Sequence, residues 1–244
     1  MRCCRIWMGC RVTFIDWLEF SMCGRFTQEF TWRQVHDFLS LQFPPGPGAI
    51  VEMPPSYNVA PTQSVAVCRA KEGGGRELAA MRWGFVPSWS DEGKVLINAR
   101  SETVAGSPAF RAAFKSRRCV VPASAFYEWR VLNGKKQPVC FRALNDPIFA
   151  LAALWEPSRE HGACFTVLTT KPNELVAKVH DRMPVMLRGS QVAAWMEGEQ
   201  PGVELMGAFP AEEMESYDVS SRVNSPKNND RSLVEREGPK TLFG

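Results

Sequence analysis

The spacing of apolar residues along this chain predicts four short helices. Thr31 and Gln34 form a capping-box sequence, and the helix that they open is expected to end near Gln42. A second helix is predicted to begin with Ser107 as its N-cap and Pro108 in its first turn. The apolar residues that recur at helical intervals in these two segments are Val35, Phe38, Leu39, Phe110, Ala113 and Phe114. The other two predicted helices span residues 172–179 and 190–196.

Between the helices, runs of β-branched and aromatic residues predict a series of strands. The predicted strands cover residues 64–69, 77–83, 119–121, 126–131, 137–142, 148–154 and 164–168. Asn133-Gly134 lies between two of them and is a strong signal for a two-residue hairpin turn. Strands in series with a few short helices favour an α+β fold, here a single domain with a curved antiparallel β-sheet or barrel-like core and short flanking helices.

The first 21 residues differ in character from the rest of the chain. They contain three of the eight cysteines but no Gly-Pro turn and no regular period. Arg11 and Asp16 interrupt the segment, so it lacks the continuous apolar core of a secretory signal. Two interpretations remain open, a start codon assigned too far upstream and a leader that is removed later, and both place the functional start at residues 22–23. The expected divisions are a leader over 1–21, a domain over 22–231 and a polar tail over 232–244, the chain being loose beyond residue 228.

Composition and charge are those of a soluble globular chain with an uneven surface. The chain is 45% hydrophobic and 23% charged, and no run of about 18 apolar residues predicts a membrane span. Residues 69–118 hold ten Lys and Arg against five Asp and Glu, whereas residues 197–218 hold seven acidic residues and no Lys or Arg. This distribution is typical of a polyanion-binding face set apart from a solvated face, although an uneven surface without function explains the counts about equally well.

The cysteines and histidines do not follow a metal-binding pattern. No cysteine lies in a C-x-x-C pair, and the three histidines do not stand at zinc-ligand spacing, so we expect neither a metal nor another cofactor. The cysteines at positions 68, 119, 140 and 164 lie in apolar, strand-like runs and are interpreted as buried residues in a reducing compartment. We therefore expect a cytoplasmic monomer, associated with the nucleoid in a bacterium.

Four short stretches combine polar residues with apolar surroundings. They are MCGR at 22–25, INARSE at 97–102, AFYEW at 125–129 and VHDRMP at 179–184. Taken singly, each stretch has an ordinary structural explanation. Glu128 is interpreted as a solvent-facing residue of a strand, and His180 is interpreted as a residue that ends a helix. Asn98 fits a turn, and Arg100 could pair with Glu102.

Taken together, these stretches carry a family resemblance. From Met22 to about Arg231 the chain resembles the SRAP family (SOS-response-associated peptidase domain), whose members are abasic-site processing proteins. Seven motifs in the family's order support the resemblance over nearly the whole chain. They are MCGRF at 22–26, YNVAPTQ at 57–63, RWGFVPSW at 82–89, INARSET at 97–103, RCVVPASAFYEW at 118–129, HDRMPVML at 180–187 and VNSPKN at 223–228.

The resemblance implies covalent capture of abasic sites in single-stranded DNA by Cys23 as the N-terminal residue. An N-terminal cysteine offers an amine and a thiol on neighbouring carbons. The pKa of an α-amine is ordinarily about 7.7–8.0, against about 10.4 for Lys, so far more of the amine is neutral at physiological pH. The amine would form a Schiff base with the aldehyde of the lesion, and the thiol would then close a thiazolidine ring.

Supporting roles also follow from the resemblance. Asn98 is expected to position the amine or a sugar oxygen, Glu128 to move protons and promote leader removal, and His180 to act as acid or base on the opening sugar. The DNA-binding residues that it implies are Arg25, Pro61, Trp83, Trp89 and Arg100, the arginines on phosphates, the tryptophans stacked on bases and the proline as a wedge. A Schiff base also permits slow lyase activity by β-elimination.

Two other classes of function remain open at this point. The first is a cysteine peptidase with Cys23 as nucleophile, His180 as base and Glu128 as the residue that orients it. The second is a plain single-strand-binding module without chemistry, which leaves the polar set of Asn98, Glu128 and His180 unexplained. Denaturing gels with abasic and intact oligonucleotides separate all three classes.

Overall fold

The computed structural model describes residues 23–41, 53–71, 73–87, 95–198 and 203–238, and these residues form thirteen strands and three α-helices. The strands are β1 (Phe26–Gln28), β2 (Ser56–Val59), β3 (Ser64–Ala70), β4 (Arg76–Trp83), β5 (Asn98–Arg100), β6 (Arg118–Ala123), β7 (Ala125–Leu132), β8 (Lys135–Ala143), β9 (Phe149–Ser158), β10 (Gly162–Thr170), β11 (Met183–Pro184), β12 (Met186–Leu187) and β13 (Met214–Asp218). The α-helices are α1 (Trp32–Phe38), α2 (Arg111–Ser116) and α3 (Gly189–Glu197). Short 3-10 helices cover Val176–Lys178, Val203–Met206, Ala211–Glu213, Ser221–Asn224 and Arg231–Val234.

Five strands close on themselves and form a barrel. β3 pairs with β4 and β6, β6 pairs with β9, β9 pairs with β10, and β10 returns to β4. The β4–β10 pairing is parallel, with Trp83 opposite Phe165, and β5 continues in parallel along β10. The barrel-like core predicted from the sequence is confirmed, and its sheet is mixed. The parallel pairings join segments that are far apart in the chain, so no hairpin sequence specifies them.

A second sheet, antiparallel throughout, packs against the barrel. Its strand order is β13-β8-β7-β1-β2. The β7–β8 turn is made by Asn133 and Gly134 with φ angles of 48° and 72°. Both values lie in the left-handed region that a two-residue hairpin turn needs, so the predicted hairpin is confirmed.

Alternate residues of the barrel strands supply two separate cores, as the two-residue period of a strand requires. One set, which includes Met81, Trp83 and Phe165, packs against residues of the second sheet such as Phe26, Phe126 and Phe141. The opposite set, which includes Cys68, Leu78, Val120 and Leu154, packs against the helical segments, which contribute Val35, Leu39, Ala113 and Trp195. The cysteines at positions 68, 119, 140 and 164 are fully buried free thiols, which confirms their interpretation as core residues.

The predicted helices differ in how well their ends match the structure. The capping box of Thr31 and Gln34 is confirmed, but α1 ends at Phe38 and the left-handed Ser40 (φ 51°) follows shortly after. Ser107 does not cap α2, because residues 107–110 form a turn and the helix begins only at Arg111, with Phe110 at the N-cap position. The segment 172–179 contains only the 3-10 helix Val176–Lys178, whereas α3 confirms the last predicted helix.

The segment after residue 228 is ordered by burial as far as the structure describes it. Leu233 is completely buried and Val234 is 6% exposed, within a 3-10 helix that Asp230 caps. The Tyr127 hydroxyl lies 3.4 Å from the Leu233 carbonyl oxygen, to which it donates. The prediction of a loose polar tail from this point is therefore wrong for residues 229–238, because two apolar side chains anchor the segment.

Arg118 holds the ends of two helices from inside the fold. Only 7% of it is exposed, and its guanidinium donates to the carbonyl oxygens of Phe114 and Lys115 in α2. It also donates to the carbonyl oxygens of Trp195 and Gly198 at the end of α3. Carbonyls at a helix end lack intrahelical partners, so one side chain here satisfies four such groups.

We expect Arg118→Met to lower the free energy of unfolding by about 3 kcal/mol or more, since each buried acceptor left unpaired costs about 1–3 kcal/mol. Urea titration gives this value. Arg111→Met, at an exposed arginine of α2, is the matched control and should stay within about 0.5 kcal/mol of the parent protein. Equal effects of the two changes would contradict the capping role.

Candidate active site

The fold brings the four predicted catalytic residues together. Cys23 lies three residues before β1, Glu128 is the fourth residue of β7, and β1 pairs with β7. Asn98 opens β5 beside the C-terminal half of β10, and His180 lies just before β11, which pairs with the last two residues of β10. The site therefore lies where the start of the second sheet meets the C-terminal end of β10.

Asn98 and Glu128 contact Cys23 directly, whereas His180 contacts the backbone of Arg182. Asn98 Nδ2 donates to the Cys23 carbonyl oxygen over 3.1 Å. The Cys23 thiol is hydrogen-bonded to the Glu128 carboxyl group, and its sulfur lies 3.9 Å from the Arg182 carbonyl oxygen. The exposed fractions are 5% for Cys23, 8% for Asn98 and 3% for Glu128, and 10% for the side chain of His180. Water is thus largely excluded from the cluster.

Burial gives Glu128 an unusual acidity. It raises the pKa of this carboxyl group from 4.5 to about 7, against the opposing effects of the positive charge on His180 and the hydrogen bond from Cys23. The carboxyl group therefore exists in both protonation states near neutral pH. A group of this kind can donate and accept protons in the same reaction cycle.

The Cys23 thiol is held in its protonated form. Burial is the main cause that raises its pKa well above the ordinary value, and the charge and hydrogen bond of Glu128 add to the rise. Arg182 opposes the shift only weakly, as the smallest of the causes. Because a thiolate is the stronger nucleophile, this environment disfavours chemistry that starts with sulfur.

Two buried oxygens of the site lack a hydrogen-bond partner in the part of the chain that the structure describes. They are Oδ1 of Asn98 and Oε1 of Glu128. Each belongs to a side chain that already contacts Cys23. An unpaired buried acceptor costs about 1–3 kcal/mol, so the site favours a group beside Cys23 that can donate more than one hydrogen.

Arg182 is a member of the site to which the sequence alone assigns no role. Its backbone N–H donates to His180 Nδ1 over 3.0 Å, and its side chain forms a two-bond ion pair with Glu102 at 2.7 and 2.8 Å. The same guanidinium donates to the Thr169 carbonyl oxygen at 2.6 Å. Glu102 and Arg182 both lie within the motifs quoted above. Because they are 80 positions apart, no local sequence pattern indicates that they form an ion pair.

Two of the predicted DNA-binding residues lie at accessible positions. Arg100 is exposed and, by the alternation of β5, points to the same side as Asn98. Pro61 is partly exposed in the turn between β2 and β3, where Thr62 has a φ of 74° and donates to the Trp83 carbonyl oxygen. Both positions remain compatible with a contact to a nucleic acid strand.

The structure places Trp83 in the core instead of on a surface. Its ring is 1% exposed and lies 5.0 Å from the ring of Phe26 and 6.1 Å from that of Phe165. Its Nε1 donates to the Ile97 carbonyl oxygen over 2.9 Å, which anchors the segment that leads into β5. Stacking on a base needs an accessible ring face, so the predicted base contact of Trp83 is corrected to a packing role. Trp89, the other predicted stacking residue, lies outside the described residues.

Arg25 has contacts within the protein, and its predicted contact with a phosphate stays a prediction. Its Nη1 donates to Asn58 Oδ1 and to the Val223 carbonyl oxygen, both over 2.8 Å, and its guanidinium lies 5.6 Å from the centre of the Trp129 ring. Asn58 in turn donates to three carbonyl oxygens of the loop 223–228. The VNSPKN motif is therefore tied to the start of β1, beside Cys23.

Two further findings concern the described residues as a set. They contain no group of three or more His, Cys, Asp or Glu side chains arranged to hold a metal ion. No helix among them is both long and apolar enough to span a bilayer.

Comparison with known proteins shows the family and agrees with the fold. The family model "SOS response associated peptidase (SRAP)" matches residues 22–226. The abasic site processing protein YoaM of Bacillus subtilis is 38% identical over 230 residues, covering 88% of this chain and 99% of its own. YedK of Escherichia coli, with the same description, is 32% identical over 230 residues with the same coverage. A crystal structure of a protein from Bacteroides thetaiotaomicron shares the fold with a TM-score of 0.74 at 24% identity, covering 88% of this chain and all of that one. The chain belongs to the SRAP family.

Proposed function

We propose that this protein captures abasic sites in single-stranded DNA as a covalent thiazolidine, with Cys23 acting as its N-terminal residue. The relatives are named abasic site processing proteins, which supports a lesion in DNA as the substrate. The enclosed cluster around Cys23 supports the covalent chemistry, because it combines an aminothiol residue with a proton-transfer group and an amide.

The pair of unpaired acceptors carries the proposal. A peptide N–H can donate one hydrogen bond, whereas a free α-amine has two or three hydrogens depending on its charge. A free amine on Cys23 would add donors beside Asn98 Oδ1 and Glu128 Oε1, the two buried oxygens that lack partners among the described residues. The site is thus better matched to a processed Cys23 than to one inside a peptide bond.

The chemistry balances without a metal or cofactor. The neutral amine of Cys23 attacks the aldehyde carbon of the ring-opened lesion and forms a C–N bond. Loss of one water, with protons supplied by neighbouring acids, gives a protonated Schiff base. The thiol then adds to the same carbon, the S–H proton passes to the Glu128 carboxylate, and the C=N electrons return to nitrogen. The products are the thiazolidine and one molecule of water.

Glu128 and His180 carry out different proton transfers in the proposed reaction. With a pKa of about 7, Glu128 is protonated often enough to help water leave and ionised often enough to accept the thiol proton. His180 serves as acid or base on the sugar oxygen that is released when the lesion opens. The Schiff base also permits β-elimination, so slow lyase activity at the lesion is part of the proposal.

A peptidase that begins with a Cys23 thiolate is less compatible with the same site. Such an enzyme needs a thiol of lowered pKa, whereas burial and Glu128 raise the pKa of this one. The backbone of Arg182, and not Cys23, contacts Nδ1 of His180. We therefore limit any peptide hydrolysis to removal of the residues that precede Cys23, promoted by Glu128.

The test uses a single-stranded oligonucleotide with one abasic site and a denaturing gel. We expect a heat-stable protein–DNA band that disappears when methoxyamine has capped the aldehyde beforehand. An intact oligonucleotide of the same sequence and a fully duplex abasic one are the controls, and both should give little product. Equal crosslinking to the intact strand would rule out aldehyde capture.

A further inference from the structure

The main chain of Arg182 connects the two reacting side chains of the proposed site. Its N–H donates to His180 Nδ1 over 3.0 Å, and its carbonyl oxygen lies 3.9 Å from the Cys23 sulfur. A displacement of the Arg182 main chain would therefore disturb the contacts of both the imidazole and the thiol.

The same contact decides where His180 carries its proton. A backbone N–H can only donate, so Nδ1 must present its lone pair to Arg182, and the proton of the neutral ring resides on Nε2. Nδ1 also lies 3.1 Å from the Arg182 carbonyl oxygen and 3.3 Å from Asp181 Oδ1. A proton on Nδ1 could be donated to either oxygen, so the shorter bond from the Arg182 N–H is the contact that favours the Nε2–H form.

The side chain of Arg182 is fixed from another part of the fold. Glu102 holds the guanidinium with two bonds of 2.7 and 2.8 Å, and the Thr169 carbonyl oxygen at the end of β10 accepts a third at 2.6 Å. The Arg182 side chain is 12% exposed and that of Glu102 is 38% exposed. The hydrogen bonds from Arg182 lower the pKa of Glu102, which keeps the carboxylate ionised throughout the neutral range. Arg182 thus has little freedom to move while Glu102 is in place.

We propose that Glu102 is a positioning residue that acts through Arg182 to keep the His180 proton on Nε2 and to hold the Cys23 thiol in line. The inference rests on the proposed function, since it assigns these two groups their chemical tasks. Glu102 itself touches neither group in the contacts described above, and its effect passes through the main chain of Arg182. Because the ion pair is only partly buried, its geometric effect is expected to exceed its effect on stability.

The first test reads the tautomer directly. The chain has only three histidines, so long-range 1H–15N correlation spectra of the imidazoles can be assigned with one substitution for each. We expect the Nε2–H form for His180 in the parent protein and a shift toward a mixture of tautomers in Glu102→Gln. Unchanged signals from His36 and His161 show that the variant is folded. An unchanged His180 tautomer in Glu102→Gln would overturn the inference.

The second test separates positioning from binding. At saturating abasic DNA, Glu102→Gln should crosslink about tenfold more slowly, a loss below the range for removing an acid–base group outright. Its Kd for the intact strand should stay within about twofold, since no phosphate contact is assigned to Glu102. The matched control is Glu77→Gln, which removes an ion pair with Arg69 of 2.8 Å on the β3–β4 hairpin and should leave the rate unchanged.

A double-substitution cycle shows whether the effect passes through Arg182. In an Arg182→Met background, adding Glu102→Gln should change the rate by less than about twofold, because the link is already broken. A full tenfold loss in that background would overturn the inference. If the parent protein forms no crosslink at all, the proposed function fails instead, and the tautomer measurement still decides the positioning role.

Discussion

Cys23→Ser is expected to retain the Schiff base and lose the stable adduct. Serine keeps the α-amine, so sodium borohydride should still trap a covalent imine with abasic DNA. The hydroxyl is a much poorer group for closing the ring, so the heat-stable product should fall by roughly 100-fold, equivalent to about 3 kcal/mol. Denaturing gels with and without borohydride separate the two products. Cys23→Ala should behave in the same way, because its amine is also untouched.

An added residue provides the complementary change. Placing one alanine before an otherwise intact Cys23 converts its amine into an amide and leaves the thiol in place. We expect neither the trappable imine of the normal site nor the stable adduct. Loss of all imine in Cys23→Ser, together with a stable adduct from the extended protein, would require chemistry that starts with sulfur.

Glu128→Gln is expected to stabilise the protein at alkaline pH while it disables the site. The folded-state pKa of Glu128 lies above its ordinary value, so the folded protein retains the proton longer than the unfolded chain. Stability from this group is fully present below about pH 4.5 and is lost as the pH rises to about 7. At about 1.4 kcal/mol for each pKa unit, the loss is on the order of 3 kcal/mol.

Glutamine does not ionise, so Glu128→Gln does not lose stability as the pH rises from about 4.5 to about 7. We expect its free energy of unfolding to exceed that of the parent protein by up to about 3 kcal/mol at pH 8 and to match it near pH 4. Urea titrations at the two pH values measure the difference, with Glu204→Gln at an exposed glutamate as control. Adduct formation should meanwhile fall by about 100-fold or more. A variant that is equally destabilised at both pH values would contradict the buried-acid assignment.

Features that depend on neighbouring residues could be predicted from the sequence. The Thr31 capping box needs only a partner three positions away, and the Asn133-Gly134 turn needs only residues that tolerate positive φ. The burial of Cys68 and the other core cysteines followed from the apolar runs around them. The Ser107 cap was wrong because a turn over residues 107–110 precedes α2 and moves the helix start to Arg111, which composition does not reveal.

Features that depend on distant pairings could not be predicted in this way. The closure of the barrel joins β4 to β10, and the placement of Trp83 against Phe165 follows from that closure. From the sequence alone, Trp83 could equally well stack on a base or pack in the core. The residues that surround it in the fold decide between the two. Similarly, Leu233 anchors an otherwise polar segment only because Tyr127 and its neighbours provide a site for it.

The candidate site was predictable as a set of residues but not as a network. The motifs identified Cys23, Asn98, Glu128 and His180, and the fold brings all four together. The raised pKa of Glu128, the two unpaired acceptors and the linkage through Arg182 arise from burial and from contacts across the fold. They are the features that distinguish an amine-first mechanism from a thiolate peptidase.

Mass spectrometry of the crosslinked peptide shows which atoms of the protein hold the lesion. The adduct from abasic DNA is digested with a protease and a nuclease, and the modified peptide is sequenced. We expect a peptide that begins at Cys23, with the sugar remnant on its own nitrogen and sulfur and no residue before it. A remnant on any other residue, or on Cys23 with residues 1–22 still attached, would contradict covalent capture by an N-terminal Cys23.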